Sequence, residues 1–515
     1  MRRVILLICS LALIPSLAAA QALTSLASLR VGYTTRKNTV KPQGELKAQI
    51  DALDQQIAEA TRLGRTGELR RLFAKGTVLL SGRAWTDALD YAGSLVIRTD
   101  HIVADSGKTV PVRLEQIYLP TMALDHPLTA HVELRKRPAP PTAGAAAPPQ
   151  PGELVKDLGS FDGVGRDLRE SPFPFDLDVH DVPDGGYQLR INLVNGTTEL
   201  GSAAVNVAIR KGLDDLVARL ESDARKASAD ARADILFPVD RMRNVNRGRL
   251  ELRTFDPDRD FAAAEAVAAG AKGGKDPFAH RNGDFKRHYL LDAAGEIMPY
   301  HMYVPSSYTG AQPFALIVAL HGLGGTEDSF FDGYGGVLPK LAEQHNYIVA
   351  APLGYRVDGS YGWGLGNAPA DPVTRRVQEL SEQDVMQVLQ RVRQQYRIDG
   401  ARIYLLGHSM GAIGTWKIAP KYPDIWAAIA PISGSGAPAT LERIRQVPEI
   451  VVHGDNDPTV NVNGSRTMVA KMRELGIESK YIEVPGGVHS DVVAPNLAAI
   501  VEFFDAHRKT AKVSQ

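Results

Sequence analysis

The chain has 515 residues, 59 basic and 59 acidic, so its formal net charge is zero and it carries no electrostatic footprint for nucleic acid. Its 44% hydrophobic and 23% charged residues are the balance of a folded globular protein. The length exceeds one ordinary core, so two or three domains are expected.

The first residues read as an export signal. Arg2-Arg3 is charged, Val4 to Leu17 is apolar, and Ala18-Ala19-Ala20 is an A-x-A cleavage site, with Ala20-Gln21-Ala22 as a second. Residues 1–22 are expected to be removed and the chain to be secreted or periplasmic. The apolar run is short for a membrane span and is broken by Pro15. Cys9, the only cysteine, lies inside this run. Ile8 stands where a lipoprotein site wants a small residue. The mature chain therefore offers neither disulfide nor thiol chemistry.

Residues 23–94 read as a helical segment. Leu46, Ile50, Leu53, Ile57 and Ala60 recur at steps of four and three, which places them on one helix face. Gly64-Arg65-Thr66-Gly67 interrupts the pattern and Glu68 to Lys75 resumes it, so a helical hairpin over 43–75 is expected. From 95 to 210 the texture changes to short strands. Val110 to Leu119 and Leu128 to Leu134 are two of them. Tyr187, Leu189, Ile191 and Leu193 alternate with polar residues, as do Val205, Val207 and Ile209, and Asn195-Gly196-Thr197 lies between these runs as a hairpin turn. A small immunoglobulin-like β-sandwich is expected. It is interrupted at 138–152 by a proline- and alanine-rich stretch that cannot build a core. Residues 211–284 read as a connector. An amphipathic helix covers 211–232, and an Ala/Gly/Lys-rich approach covers 262–284. A fragment starting near Lys275 is therefore expected to fold alone.

From 285 to 510 strands and helices alternate. Apolar strand runs are expected at Ala315–Leu320, Tyr347–Ala351, Arg402–Leu406, Ala427–Ile432, Ile450–Val452 and Lys480–Val484. A helix over Ser381–Tyr396 is opened by the capping pattern Ser381-x-x-Asp384. Such alternation means a mostly parallel sheet covered on both faces, an α/β architecture. Catalytic groups in it belong just past the carboxyl ends of the strands.

Three candidates occupy such ends. Gly407-His408-Ser409-Met410-Gly411 follows one strand and has the form of a nucleophile elbow. The serine sits in a strained turn, so the residues two before and two after it must be almost without side chain. His453-Gly454-Asp455-Asn456-Asp457-Pro458-Thr459-Val460 follows the next, and Gly486-Gly487-Val488-His489 the last. A serine hydroxyl needs an imidazole to take its proton and a carboxylate to hold that ring. The chemistry also needs two backbone N–H donors for the oxyanion. Met410 N–H is one candidate. Leu323 N–H, in the loop His321-Gly322-Leu323-Gly324-Gly325, is the other.

The segments HGLGG, GHSMG, HGDNDPTV and GGVHS, with Pro299 to Pro305 as an opening strand, make residues 285–508 resemble an α/β-hydrolase. The likeness is to the secreted esterase group that includes feruloyl esterases, polyhydroxybutyrate depolymerases and prolyl-oligopeptidase-type peptidases. The resemblance implies hydrolysis of a carboxylic ester or peptide without metal or organic cofactor. It implies Ser409 as nucleophile, His489 as general acid–base and, through Gly-x-x-Asp-x-x-Val, Asp457 as the orienting acid. Asp455 is the competing acid. His321, His408 and His453 are expected to orient loops. Tyr361 and Trp363 lie in a loop that often lines the substrate pocket in this fold. They are candidates to stack on a sugar or phenolic ring, packing within the loop being the alternative. The expected partner is a small or polymeric ester such as an acylated polysaccharide. A peptidase with the same triad and an inactive binding protein remain open as alternatives.

Overall fold

Helix α1 (Leu26–Val40) is the first element of the computed structural model, which describes residues 25–121, 127–137, 151–165, 167–279, 281–365 and 371–509. The export signal, Cys9 and nearly all of the proline-rich stretch lie outside these residues. Helices α2 (Gly44–Arg62) and α3 (Thr66–Leu79) follow, joined at the expected Gly64–Gly67 break. Tyr33 of α1 packs with Ile50, Leu53, Ala60, Leu72 and Phe73, so the expected hairpin is a three-helix unit. Its first helix has a weakly patterned sequence, and one tyrosine with two leucines suffices to dock it.

Helix α4 (Asp87–Ser94) leads into two sheets. One is formed by β1 (Leu95–Arg98), β3 (Thr109–Gln116) and β6 (Phe173–Asp178). The other is formed by β2 (Val103–Asp105), β4 (Leu128–Lys136), β5 (Leu154–Val164), β7 (Gly185–Asn195) and β8 (Thr198–Arg210), in the order β2-β8-β7-β4-β5. Alternate side chains of each point inward, as a pleated strand requires, and Val112, Leu114 and Phe175 share a core with Val132, Leu189 and Ile191. The hairpin between β7 and β8 turns at Gly196, whose φ of 61° suits a residue without a side chain.

The connector differs from the expectation. The stretch read as one helix is two, α5 (Leu213–Lys226) and α6 (Ala229–Asn246), because the Ser228 hydroxyl caps the second by accepting from Ala231 N–H (3.3 Å). The stretch read as an approach contains α7 (Pro257–Gly270), started by Asp256 and Pro257. Leu216, Leu220, Ile235, Val239, Phe261 and Ala264 are buried in the same core as the sandwich. The small alanines that made α7 look patternless are what let it pack closely.

Helix α6 also lies against the next sheet. That sheet has eight strands: β9 (Gly283–Leu291), β10 (Glu296–Val304), β11 (Phe314–Leu320), β12 (Tyr347–Pro352), β13 (Ile398–His408), β14 (Ala428–Ile432), β15 (Glu449–Gly454) and β16 (Ser479–Val484). Their order is β16-β15-β14-β13-β11-β12-β10-β9, parallel from β12 to β16, with β9 and β10 antiparallel at one edge. Asp234 of α6 accepts from Arg287 Nε (3.1 Å) and from His288 N–H (2.7 Å), and Phe237 stacks on the His288 ring at 3.9 Å. Arg287 is 3% exposed, so the pair is buried between the halves of the chain.

Helices α8 (Val337–His345) and α12 (Val493–Ala506) cover one face of this sheet; α9 (Pro372–Gln395) and α11 (Asn463–Leu475) cover the other. Helix α10 (Met410–Lys421) follows β13. The N-cap of α9, Asp371, stands ten residues before the expected one. Its first turn is held by Asp371, which accepts from Thr374 N–H at 2.7 Å. Ser381 and Asp384 are buried in mid-helix. Among the described residues no helix is long and apolar enough to cross a membrane.

Candidate active site

The glycines around Ser409 are required by close approach. A Cβ on Gly407 would lie 2.2 Å from Gly411 O, and one on Gly411 2.0 Å from Leu320 O. Ser409 itself has φ 56° and ψ −116°, a conformation that costs energy in a non-glycine residue. The turn stands at the carboxyl end of β13, and Ser409 N–H is tied to Ile432 O (2.9 Å).

The ends of β15 and β16 bring the other groups to it. His489 Nε2 is 2.8 Å from Ser409 Oγ, and His489 Nδ1 is 2.7 Å from Asp457 Oδ2. Asp457 Oδ1 accepts from Thr459 N–H (2.8 Å) and Val460 N–H (3.0 Å). Burial opposes its charge, but hydrogen bonds from His453 and His489 outweigh that and hold the carboxyl well below the usual range. Asp455 does something else: its carboxylate accepts from Gly486 N–H at 2.7 Å, joining the two loops.

The remaining histidines hold these parts in place. His453, fully buried, directs Nε2 at Asp457 Oδ2 (3.2 Å) and Val460 O (3.0 Å), while Nδ1 meets Ser465 Oγ (2.7 Å). His408 Nε2 lies 3.0 Å from the carbonyl of His489, and its Nδ1 accepts from the Tyr334 hydroxyl at 2.8 Å. Burial and the neighbouring His489 push the His408 pKa down to about 4, so it is neutral and donates through Nε2. His321 is buried with both ring nitrogens 2.7 Å from carbonyl oxygens, of Gly322 and Leu353. Burial lowers its pKa, and a neutral ring has one N–H, so only one of these contacts is a full hydrogen bond at a time.

Around Leu323, Gly324 N–H donates to Val357 O (2.8 Å) and Gly325 N–H to Gly322 O (3.0 Å). Among the described residues Leu323 N–H has no backbone acceptor in this turn. Met410 is the first residue of α10, where an N–H lacks an acceptor within the helix.

Tyr361 follows the second of its two readings, packing within the loop. Its side chain is fully buried, wedged where a Cβ on Gly354 or Gly414 would touch the ring at 2.6 and 2.7 Å. Its hydroxyl donates to His321 O (3.2 Å), so it braces the loop bearing Leu323 and is not free to stack on substrate. Trp363 is half-buried, and the Lys421 ammonium stands 5.0 Å from its ring centre. Asp384 and Ser381 serve the same loop region. Asp384 accepts from Tyr355 N–H (2.7 Å), and Ser381 Oγ accepts from Tyr361 N–H (3.0 Å). No local sequence signal distinguishes such a brace from a cap.

A cavity of about 870 Å³ lies between α7 and the edge of the large sheet, lined by Arg137, Arg259 and Asp328 among others. It contains none of Ser409, Asp457 and His489. Volume alone does not mark this site; the aligned hydrogen bonds do.

The sheet order, the strained serine after β13 and the acid and histidine after β15 and β16 together decide the fold. The C-terminal half has the α/β-hydrolase fold. Residues 292–472 match the family described as "Putative esterase". The chain is similar to a bifunctional acetylxylan esterase/xylanase of Neocallimastix patriciarum, 30% identical over 162 residues, 31% of this chain and 22% of that protein. It is also similar to feruloyl esterase B of Neurospora crassa, 34% identical over 134 residues, 26% of this chain and 43% of that one. A poly(3-hydroxyalkanoate) depolymerase C of Paucimonas lemoignei is 30% identical over 136 residues, 26% of this chain and 30% of that protein. These matches span less than half the length of each relative.

Proposed function

We propose that the protein is an exported serine hydrolase that cleaves carboxylic esters through an acyl-enzyme at Ser409. The observation that carries this reading is the continuous chain from Ser409 Oγ to His489 (2.8 Å) and on to Asp457 (2.7 Å). In the first half-reaction His489 Nε2 takes the Ser409 proton as Oγ attacks the ester carbonyl carbon. Asp457 holds the Nδ1 proton and stabilises the imidazolium. The carbonyl oxygen becomes an oxyanion, received by Leu323 N–H and Met410 N–H. The intermediate then collapses, and the alcohol leaves with the proton from His489. Water, activated by the same ring, releases the acid and restores Ser409.

An alkoxide is a tolerable leaving group, whereas a peptide nitrogen must be protonated as it departs. Esters are therefore the substrates of choice. The kinship with proteins named for acetylxylan, feruloyl and polyhydroxyalkanoate chemistry favours an acylated polysaccharide or a polymeric ester. The test compares kcat/KM on a p-nitrophenyl ester, an acetylated or feruloylated xylan oligomer and a matched chromogenic peptide, with Ser409→Ala as control. Ester turnover lost in the variant supports the reading. Peptide turnover at or above that of the esters makes the protein a peptidase, and ester turnover that survives Ser409→Ala overturns the mechanism.

A further inference from the structure

Arg241 of α6 is a buried cation without a counterpart; it is 2% exposed. Among the described residues it makes no ion pair and no hydrogen bond, and its Nε is enclosed without a partner. Its guanidinium lies over the Phe237 ring, 5.2 Å from the centre. A ring answers the charge in part but does not accept the N–H groups as an oxygen does. The acids whose charge reaches Arg241 are Glu327, Asp240 and Asp260, none at ion-pair distance. All three are engaged elsewhere. Glu327 accepts from Lys286 Nζ (2.9 Å), Asp260 from Arg259 Nε (3.0 Å) and Asp240 from Ile297 N–H (3.0 Å). A guanidinium keeps its proton in a protein, and a buried charge left alone destabilises the fold.

Arg241 lines a cavity of about 160 Å³ together with Arg249, Arg253 and Arg356; the acids of the lining are Glu251 and Asp358. Arg253 is paired with Glu251 (2.5 Å), and Arg356 with Glu296 (2.9 Å), which lies outside the lining. Arg249 is exposed and, like Arg241 and Asp358, forms no ion pair among the described residues. Four arginines against Glu251, Asp358 and Glu296 leave one positive charge over. The volume is several times the roughly 30 Å³ that a water takes up in the liquid, so a small anion fits with water beside it. The cavity also adjoins the loop that bears Leu323. Arg253 Nη1 donates to Gly324 O (3.1 Å), and Val357, another lining residue, accepts from Gly324 N–H (2.8 Å).

We propose that this cavity is a binding site for a small oxyanion, a carboxylate or a phosphate, held by Arg241 at its floor and Arg249 at its mouth. Two oxygens of such a group match the fork of a guanidinium. Water satisfies the N–H groups but not the charge. The bound anion ties α6 and the turn Leu252–Thr254 to the loop after β12. Ser409, Asp457 and His489 are not in the lining, so the site is separate from the triad and does not rest on the esterase reading.

The test is calorimetric titration of the purified protein with phosphate, acetate and D-glucuronate at fixed ionic strength in chloride, with thermal melting beside it. Binding of phosphate alone marks a phosphate site. Binding of acetate and glucuronate alone marks a carboxylate site, the second ligand carrying its carboxylate on a sugar. Arg241→Met keeps an unbranched apolar stem and removes the charge, and should weaken binding about ten-fold or more. Its Tm in chloride should match or exceed that of the parent, since a lone buried charge is gone, and should no longer rise with the anion. Arg249→Gln, at an exposed position, should weaken binding about three-fold. Arg219→Gln, outside the lining, should leave it unchanged. The proposal is overturned by no binding of any of the three anions, which leaves a hydrated arginine. Equal affinity in parent, Arg241→Met and Arg249→Gln, or an equal rise of Tm in all of them, also overturns it, as a general ionic effect. If Arg241→Met does not fold, Arg249→Gln decides alone.

Discussion

Replacing Asp457 by asparagine tests the site through a single proton. The amide oxygen can keep the bonds from Thr459 N–H (2.8 Å) and Val460 N–H (3.0 Å), and His453 keeps Val460 O (3.0 Å), so the loop retains its shape. What changes is the atom facing His489. In place of Oδ2 at 2.7 Å, an NH2 group points at Nδ1, which must then accept. The ring proton moves to Nε2, where it faces Ser409 Oγ, and the general base is gone. Such a tautomer fault costs about ten-thousand-fold in kcat in a serine protease, and the same size is expected here. The assay is hydrolysis of p-nitrophenyl acetate at neutral pH, with thermal melting to show that the variant folds. Asp455→Asn is the comparison, and it should lose far less, since the Asp455 carboxylate bonds a backbone amide of the His489 loop. Activity of Asp457→Asn within about ten-fold of the unaltered protein, or a larger loss in Asp455→Asn, would refute the assignment of the acid.

Two further outcomes follow from the architecture. Glu449 is fully buried, accepts from Trp416 Nε1 (2.9 Å) and leaves its other oxygen without a partner, and burial pushes its pKa up to about 8. The folded state therefore holds a proton that the unfolded chain releases near its ordinary pKa of about 4.3, so stability falls as pH rises from there to 8. Glu449→Gln should flatten the decline of Tm between pH 5 and pH 8, and parallel curves for variant and parent would show that Glu449 does not carry it. The fragment beginning at Lys275, expected from composition to fold alone, would expose the β9 and β10 surface under α6 and leave Arg287 without Asp234. It should be insoluble or melt well below the full chain, and a soluble fragment with full activity would contradict the weight given to the buried contact of α6 with β9.

The α/β half was legible because its constraints are local. Each strand is a short apolar run, and Gly407 and Gly411 must stay bare for reasons of backbone approach alone. Spacing therefore carried the elbow, while Asp457 and His489 were picked out through the resemblance. Helix α7 was not legible because its alanines match both a linker and a tightly packed helix. Ser381-x-x-Asp384 misled for a related reason: a cap and a buried brace use the same residue types. The true start, Asp371-Pro372, has the form of a cap followed by proline, and nothing local ranks it above Ser381. Tyr361 looked like a pocket aromatic until its neighbours, Gly354 and Gly414, were seen to make room for its ring. Contacts such as Thr35 with Thr459 join residues far apart in the chain, and no periodicity in either segment points to the other.

The most direct measurement is to react the protein with a fluorophosphonate and map the added mass by peptide mass spectrometry. One phosphonyl group is expected on Ser409, absent from Ser409→Ala and formed far more slowly in His489→Ala, whose serine has lost its base. A label on another residue, or unchanged labelling of Ser409→Ala, would contradict the mechanism proposed for this chain.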